Sequence, residues 1–157
     1  MDAIIIGPDG SWYSSKHAKY DSHGNVITKQ CHKRYRATVV IIRDGKVLLV
    51  RDGGKHDYSM PGGGFNKHEN TIQAGAREVW EELGIKAESV LRLRHCDFHG
   101  QRSNHKVCQL MISDNQKPYL KSKEIDRIVW WDMKSKLKVQ GHVIKILKTL
   151  KYGKGDK

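Results

Sequence analysis

The stretch that decides the fold is GGGFNKHENTIQAGAREVWEELGI, residues 62–85, where a run of glycines leads into an acidic segment. Asn70 is a suitable helix N-cap, and Gln73 stands three residues later, which is the spacing of a capping box. Gly84 is a natural helix stop. The sequence therefore predicts one helix between Asn70 and Gly84.

This predicted helix has an apolar stripe and a separate acidic side. Residues at helical spacing predict the buried face: Ile72, Ala76, Val79 and Leu83. On a helical wheel Glu78, Glu81 and Glu82 fall on the other side, so we expect that they do not face the core. Gly75 lies on the acidic side, where a glycine costs about 1 kcal/mol relative to alanine. Either another group approaches the backbone there, or the glycine is simply tolerated.

Three carboxylates on one exposed side of a helix repel one another unless a positive group lies among them. Arg77 can balance one of them, but a hard divalent cation does more. Mg²⁺ takes oxygen ligands, usually a few carboxylates together with waters and substrate phosphates. The glycines at 62–64 fit this interpretation, because a glycine-rich turn lets the backbone approach a metal ion or a phosphate. Taken alone, an acidic helix face is more often a solvated surface.

The spacing of the residues favours a metal-binding site over a solvated surface. From Gly63 the sequence follows the pattern G-x5-E-x7-R-E-V-x-E-E-x-G-I. Every defined position is filled: Gly63, Glu69, Arg77, Glu78, Val79, Glu81, Glu82, Gly84 and Ile85. This pattern resembles the Nudix box, the signature of the Nudix (MutT-like) pyrophosphohydrolases.

The resemblance implies both a fold and an activity. The fold is an α/β/α sandwich with a central mixed β-sheet. The activity is attack by water on phosphorus, which cleaves a diphosphate linkage in a nucleoside diphosphate joined to another group X. The implied cofactor is Mg²⁺ or Mn²⁺, which aligns a bound water and lowers its pKa.

The resemblance also implies roles for individual residues. Glu78 and Glu82 correspond to metal ligands, and Glu81 to a further ligand or the proton acceptor. The carbonyl of Gly62 is the implied backbone ligand. Two more residues are implied to orient the helix and the preceding loop: Arg77 and Glu69. In this family an acid outside the box often completes the site, and the candidates are Glu124 first and Asp126 second.

The substrate is less well defined by the sequence. Markers of the ADP-ribose, NADH and dinucleoside polyphosphate subfamilies are missing, which leaves nucleoside triphosphates, oxidised ones among them, nucleotide sugars and the 5′ end of RNA. Candidates for substrate binding are Arg51 for phosphate and Tyr58 and Phe65 for base stacking. His95, Asp97 and His99 would share one face of a strand, but three such residues are a weak signal for a second metal site.

The elements around the acidic helix complete the predicted domain. Two β-branched runs at 38–42 and 46–50 are joined through Asp44-Gly45, a strong hairpin signal. Residues 88–98, 105–113 and 126–133 predict further strands, and a second amphipathic helix spans 139–150. We assign 35–152 to the Nudix domain and 153–157 to a tail. Residues 1–34 form an N-terminal extension compatible with a short hairpin, with 26–29 as one strand.

The composition of the whole chain limits the class of protein. The 157 residues carry a formal net charge of +12, which favours partners such as nucleic acid, nucleotides and other phosphates. The three cysteines include no C-x-x-C pair, and neither a signal peptide nor an apolar run of membrane-spanning length is visible. We therefore expect a cytoplasmic protein with no membrane contact, and a homodimer is left open. The alternatives to a nucleotide hydrolase are an RNA 5′-end pyrophosphohydrolase and a non-catalytic nucleotide sensor, although the intact box argues against the sensor.

Overall fold

The computed structural model of this chain describes residues 33–151, together with the strand segments 4–6, 11–14, 19–20 and 26–27, and it describes side chains from residue 34 to 151. The strands before the acidic helix are β1 (Ile4–Ile6), β2 (Ser11–Ser14), β3 (Lys19–Tyr20), β4 (Val26–Ile27), β5 (Lys33–Val40), β6 (Ile42–Arg43), β7 (Lys46–Asp52) and β8 (Gly62–Gly64). After helix α1 (Thr71–Leu83) come β9 (Ser89–Arg92), a 3₁₀ turn at Arg94–Cys96, β10 (Phe98–His99), β11 (Ser103–Met111), β12 (Ile125–Trp131) and helix α2 (Gly141–Thr149).

A mixed seven-stranded sheet forms the centre of the molecule, as predicted. β5 and β11 run parallel and pair over seven residues, while β2 and β8 pair antiparallel with the other edge of β5. β9 and β10 pair antiparallel with β11. A second, antiparallel sheet has the order β12-β7-β6 and is joined to β5 through the predicted hairpin. At the hairpin turn Asp44 and Gly45 both have positive φ, 55° and 74°, as a tight β-turn of this kind requires.

The two helices cover opposite sides of this β-structure. Val39 and Ile41 pack into one apolar core with α1, whereas Val40 packs into the other core with α2. β7 is divided in the same way, because Leu48 and Val50 join the first core and Leu49 joins the second. Side chains alternate across a strand, so both strands must be apolar on both faces. This explains the long apolar runs of the two strands and confirms the predicted sandwich.

The buried face of α1 differs from the predicted stripe. Ile72 is 38% exposed, whereas the residues that face the sheets are Ala74, Gly75, Val79, Glu82 and Leu83. The reason is Gly75: a Cβ built there would lie only 2.7 Å from Sγ of Cys108 on β11. The helix therefore lies against the sheet through its glycine, which brings Glu82 inward and turns Ile72 outward. The expectation that all three acids avoid the interior was wrong for Glu82, which is 8% exposed.

The predicted strand at 88–98 is also interrupted. After β9 the chain makes the 3₁₀ turn, which directs both Leu93 and Cys96 into the core under α2. Asp97 then accepts hydrogen bonds from Arg92 and from the backbone N–H of Val107. His95, Asp97 and His99 therefore do not line one strand, and the described residues contain no group of three metal-ligating side chains.

The N-terminal extension is described only in part. β1 pairs with β2, and β2 pairs with the start of β5, so these segments lengthen the central sheet. β3 pairs with β4, which contains two residues of the strand predicted at 26–29, and the other two residues lie outside the described part. The tail at 153–157 also lies outside it. Neither described helix is long and apolar enough to cross a membrane.

Candidate functional site

The glycines of β8 form the floor of the acidic region. Gly62 has a φ of 143°, and a Cβ at this position would run into the carbonyl of Ala37 on β5. A Cβ on Gly63 would run into the carboxylate of Glu78. Gly62 requires glycine because backbone of β5 fills the Cβ position, whereas the space at Gly63 is filled by the Glu78 carboxylate. Gly64 has open space in the Cβ direction.

The predicted caps fix the position of α1 above these glycines. The Asn70 side chain accepts a hydrogen bond of 2.8 Å from the backbone of Gln73, and the Gln73 side chain accepts one of 3.0 Å from the backbone of Asn70. Gly84 ends the helix in the left-handed conformation, with a φ of 68°. The capping box and the glycine stop are confirmed, and together they hold the acidic half of the helix in register with β8.

Arg77 connects the helix to the loop before it. Its guanidinium donates to both carboxylate oxygens of Glu69, at 2.7 and 3.0 Å, and to the carbonyl of Gly64 at 2.8 Å. Its remaining nitrogen donates to Glu78 at 3.1 Å and to Glu81 at 3.0 Å. The hydrogen bond from Arg77 lowers the pKa of Glu69, and the same pair raises the pKa of Arg77. One cation thus holds three carboxylates and a glycine of β8 in a fixed arrangement.

Glu78 and Glu82 lie on the side of α1 that faces β8. Oε1 of Glu82 accepts a hydrogen bond of 3.2 Å from the Gly62 N–H. Burial raises the pKa of Glu82 to about 7, the Gly62 hydrogen bond and Arg36 oppose this rise, and Glu78 adds to it. Burial also raises the pKa of Glu78, against the effect of Arg77. Burial disfavours the charged form of both carboxylates, so a cation added beside them would stabilise that form.

A cleft of about 820 Å³ is lined by residues of β5, β7, β11 and α2. Two of its lining residues, Arg36 and Asp52, also interact electrostatically with Glu82, so the cleft borders the acidic region. Arg36 donates to the carbonyl of Met60 at 2.7 Å, and its buried Nε has no hydrogen-bond partner. Further cationic groups on the cleft wall are Lys55, Arg102 and Lys138.

Two stacked histidines also line the cleft. The rings of His105 on β11 and His142 on α2 are 4.2 Å apart and nearly parallel. Nδ1 of His105 lies 2.7 Å from Oγ1 of Thr38, and Nε2 of His142 accepts a hydrogen bond of 3.3 Å from the backbone of Met60. Burial lowers the pKa of His105 to about 4 and that of His142 to about 2, so both rings are neutral near pH 7.

The structure brings together the six residues that the sequence placed in the box and at its start: Gly62, Glu69, Arg77, Glu78, Glu81 and Glu82. Glu124 is exposed but close enough that its charge raises the pKa of Glu78. Asp126, the second candidate, is instead paired with Arg51 through two hydrogen bonds of 3.0 and 3.2 Å.

The predicted substrate-binding residues are placed differently. Arg51 lies over the ring of Tyr58, with 5.9 Å between the guanidinium carbon and the ring centre, and Phe65 contacts Tyr35 edge-on. None of these three described residues is among those that line the cleft. The sequence reasoning missed the residues that do line it near the acids, namely Arg36, Asp52, Lys55, His105 and His142. Asp52 and Lys55 are close in sequence at the end of β7, whereas Arg36, His105 and His142 come from distant parts of the chain.

Comparisons with known proteins agree with this geometry. The NUDIX domain family matches residues 32–145. Among curated proteins, the RNA pyrophosphohydrolase of Aeromonas hydrophila is 42% identical over 52 residues, 33% of this chain and 30% of that protein. The RNA pyrophosphohydrolase of Shewanella loihica is 41% identical over 59 residues, 36% of this chain and 34% of that protein. The chain thus spans about a third of the length of these curated relatives.

Solved structures resemble the whole fold. A Nudix hydrolase family member from Chromobacterium violaceum is 29% identical, with a TM-score of 0.58, and the match covers 70% of this chain and 72% of that one. A NUDIX family hydrolase from Clostridium perfringens has a TM-score of 0.61 at 18% identity, with 75% of this chain and 96% of that chain covered. The second likeness concerns the fold alone.

Proposed function

Because this chain belongs to the Nudix (MutT-like) family, we propose that it is a metal-dependent hydrolase of the diphosphate linkage in a nucleoside diphosphate joined to another group. The observation that carries the proposal is the position of Glu78 and Glu82. Both carboxylates are withdrawn from water against the glycines of β8, and both have a raised pKa. Burying carboxylates is unfavourable unless positive charge compensates them, which an added cation would supply.

The donor set fits a hard divalent cation. Carboxylate oxygens of Glu78 and Glu82 are the ligands that Mg²⁺ and Mn²⁺ prefer, and the backbone of β8 lies directly beside them. Mg²⁺ usually keeps several waters and takes substrate phosphates, so a cage of three or more protein side chains is not required. When bound, such an ion neutralises phosphate oxygens and lowers the pKa of a coordinated water.

The other residues have roles that follow from their contacts. Arg77 and Glu69 position Glu78 and the β8 glycines through the hydrogen bonds of the guanidinium. The candidates to accept a proton are Glu81, which is exposed and paired with Arg77, and Glu124, which is also exposed. Arg36 is among the residues that line the cleft and interacts electrostatically with Glu82 and Glu78, so its positive charge can stabilise a phosphate held between them.

Free nucleotides, including nucleoside triphosphates and nucleotide sugars, are of suitable size for a cleft of about 820 Å³. The 5′ end of RNA is a second candidate substrate, and two observations favour it. The net charge of +12 suits a polyanion, and the curated relatives of the matched segment are RNA pyrophosphohydrolases. A non-catalytic sensor is disfavoured, because every acid of the box is present and in contact with Arg77 or β8.

The test is a substrate panel with Mg²⁺ and with Mn²⁺, in which release of orthophosphate and of pyrophosphate is measured. The panel contains nucleoside triphosphates, nucleotide sugars and 5′-triphosphorylated RNA. We expect hydrolysis that needs the metal and falls by more than about a hundredfold in Glu82→Gln. Glu88→Gln, which removes an exposed acid outside the box, is the matched control and should keep normal turnover. Equal activity of the two variants would refute the assignment of Glu82.

A further inference from the structure

The outer side of α1, opposite the metal-binding acids of the proposed site, presents an exposed tryptophan surrounded by lysines. Trp80 is 42% exposed, and in the described part of the chain it belongs to neither apolar core. Nζ of Lys121 lies 3.5 Å from the centre of the indole ring, and Nζ of Lys86 lies 5.7 Å from it. A half-exposed indole ring between two lysines can bind a ligand that carries both a flat ring and negative charge.

This surface is built by backbone hydrogen bonds and is not a chance meeting of mobile side chains. The last carbonyls of a helix lack partners within the helix. Here the N–H of Tyr119 donates to the carbonyl of Leu83, and the N–H of Lys121 donates to that of Glu82, both at 3.1 Å. The side chain of Gln116 forms two hydrogen bonds with the backbone of Lys86, at 2.7 and 2.6 Å. The segment at 116–121 is thereby fixed alongside the C-terminal end of α1.

The same segment adds further aromatic and basic groups. The ring of Tyr119 covers Gly84, where a Cβ would run into it, and Tyr119 is 53% exposed. Leu120 is 50% exposed. Lys117 lies in the same segment and Lys123 two residues after it, and both are exposed. We call Trp80, Lys86, Tyr119 and Lys121 the tryptophan–lysine surface.

The tryptophan–lysine surface is connected to the acidic site through short paths. Lys121 binds the backbone of Glu82, whose side chain faces β8. Three residues after Lys121 the chain reaches Glu124, whose charge acts on Glu78. A helix with its side chains is only about 10–12 Å across, so a flexible strand of a few nucleotides whose end occupies the acidic site can reach the outer side of α1.

We propose that the tryptophan–lysine surface binds the single-stranded body of an RNA whose 5′ phosphates occupy the acidic site, an inference that rests on the RNA form of the proposed function. Bases stack on exposed aromatic rings whatever their sequence, while lysines beside the ring bind the flanking phosphates. An acidic protein segment would use the lysines but would gain little from the indole. The combination of ring and charge therefore selects nucleic acid.

Binding is measured first with an oligoribonucleotide that carries a 5′-hydroxyl group, by fluorescence anisotropy without metal. This readout is independent of catalysis. Trp80→Ala is expected to weaken binding about tenfold, and Trp80→Phe to restore most of it, because a base can stack on either ring. Lys121→Ala should lower the slope of log affinity against log salt by about 0.7, the value for one phosphate contact on a single strand. Lys148→Ala on α2 removes the same charge from another exposed site and should have a smaller effect.

Three outcomes would overturn the inference: unchanged binding in Trp80→Ala, equal effects of Lys121→Ala and Lys148→Ala, or competition by polyglutamate as strong as by RNA. The last of these would indicate an acidic protein partner. Hydrolysis separates this inference from the proposed function. Trp80→Ala should hydrolyse a free nucleoside triphosphate normally and should raise KM, with kcat unchanged, for 5′-triphosphorylated RNA. If the wild-type protein hydrolyses no diphosphate linkage, the proposed function fails, while the anisotropy result still decides whether this surface binds RNA.

Discussion

The imidazole rings of His105 and His142 stack at 4.2 Å, although they come from β11 and α2 and face the same cleft. The contact joins the central sheet to the second helix at a point where the backbone of Met60 also binds His142. Arg36, beside both rings, further disfavours a positive charge on either of them. The stack is therefore stable as a neutral pair.

The first prediction is that acid destabilises the protein through this pair. Each folded-state pKa, about 4 for His105 and about 2 for His142, is below the usual value of 6.5, so the unfolded chain binds protons first as the pH falls. The contribution of the neutral rings to the free energy of unfolding is fully present above pH 6.5. It decreases below that pH, by about 2 kcal/mol per ring at pH 5. Urea denaturation at pH 7.5 and pH 5 measures the loss.

The variant His105→Phe serves as the comparison, because it keeps an aromatic ring against His142 and removes one titrating group. Glu82 has a raised pKa, so its protonation stabilises the folded state as the pH falls, which is the opposite of the effect of the histidines. This contribution is the same in the wild type and in the variant. The difference between wild type and variant therefore isolates His105. The variant should lose about 2 kcal/mol less than the wild type between the two pH values. If the wild type and His105→Phe lost the same unfolding free energy between the two pH values, His105 would not remain neutral in the folded state.

A second prediction concerns the glycines of β8. In Gly63→Ala the new methyl group would collide with the carboxylate of Glu78, which must then move away from its position beside β8. A displacement of about 1 Å can reduce catalysis about a hundredfold. The matched control is Gly64→Ala, which places the same methyl group in open space and should retain activity. Both variants are assayed on the best substrate of the panel, with circular dichroism as the check of folding. A Gly63→Ala protein with normal activity would mean that the position of Glu78 is unimportant.

The features that the sequence predicted well depend on short-range chemistry. Asp44-Gly45, the Asn70 capping box and the Gly84 stop each involve neighbouring residues, and each is present in the structure. The Nudix box adds a fixed spacing within one helix and its preceding loop, so its residues meet as soon as those elements form. The network around Arg77 is the direct result.

The features that the sequence did not predict depend on contacts between distant residues. The burial of Glu82 and the exposure of Ile72 follow from the fit of Gly75 against Cys108, which is 33 positions away and on another strand. The cleft combines Arg36, Asp52, His105 and His142 from four separate elements. No periodicity in one segment contains that information, because it arises from how the sheets and helices are arranged.

A third prediction tests this fit at Gly75. Gly75→Ala raises helix propensity by about 1 kcal/mol, but its Cβ would lie 2.7 Å from Sγ of Cys108 and 3.1 Å from Cγ2 of Val39. Overpacking of this kind costs about 1–3 kcal/mol, so we expect a net loss of stability. Cys108→Ala removes the closest atom, and the double variant should be more stable than the sum of the two single effects. Simple additivity in urea denaturation would show that the helix shifts freely and that Gly75 has no packing role.

The last prediction concerns Arg77, whose guanidinium makes five hydrogen bonds to Glu69, Gly64, Glu78 and Glu81. Arg77→Lys keeps the positive charge but cannot bridge these groups, because an ammonium lacks the planar fork of a guanidinium. Loss of such a supporting network typically reduces activity or metal affinity about 10- to 100-fold.

Arg92→Lys is the matched control, since Arg92 also forms a two-point pair, with Asp97, away from the acids. Metal titrations of activity are measured for both variants. We expect weaker metal binding in Arg77→Lys, seen as a higher metal concentration at half-maximal rate. The concentration for Arg92→Lys should equal that of the wild type. If the charge alone were sufficient, Arg77→Lys would give the wild-type metal titration.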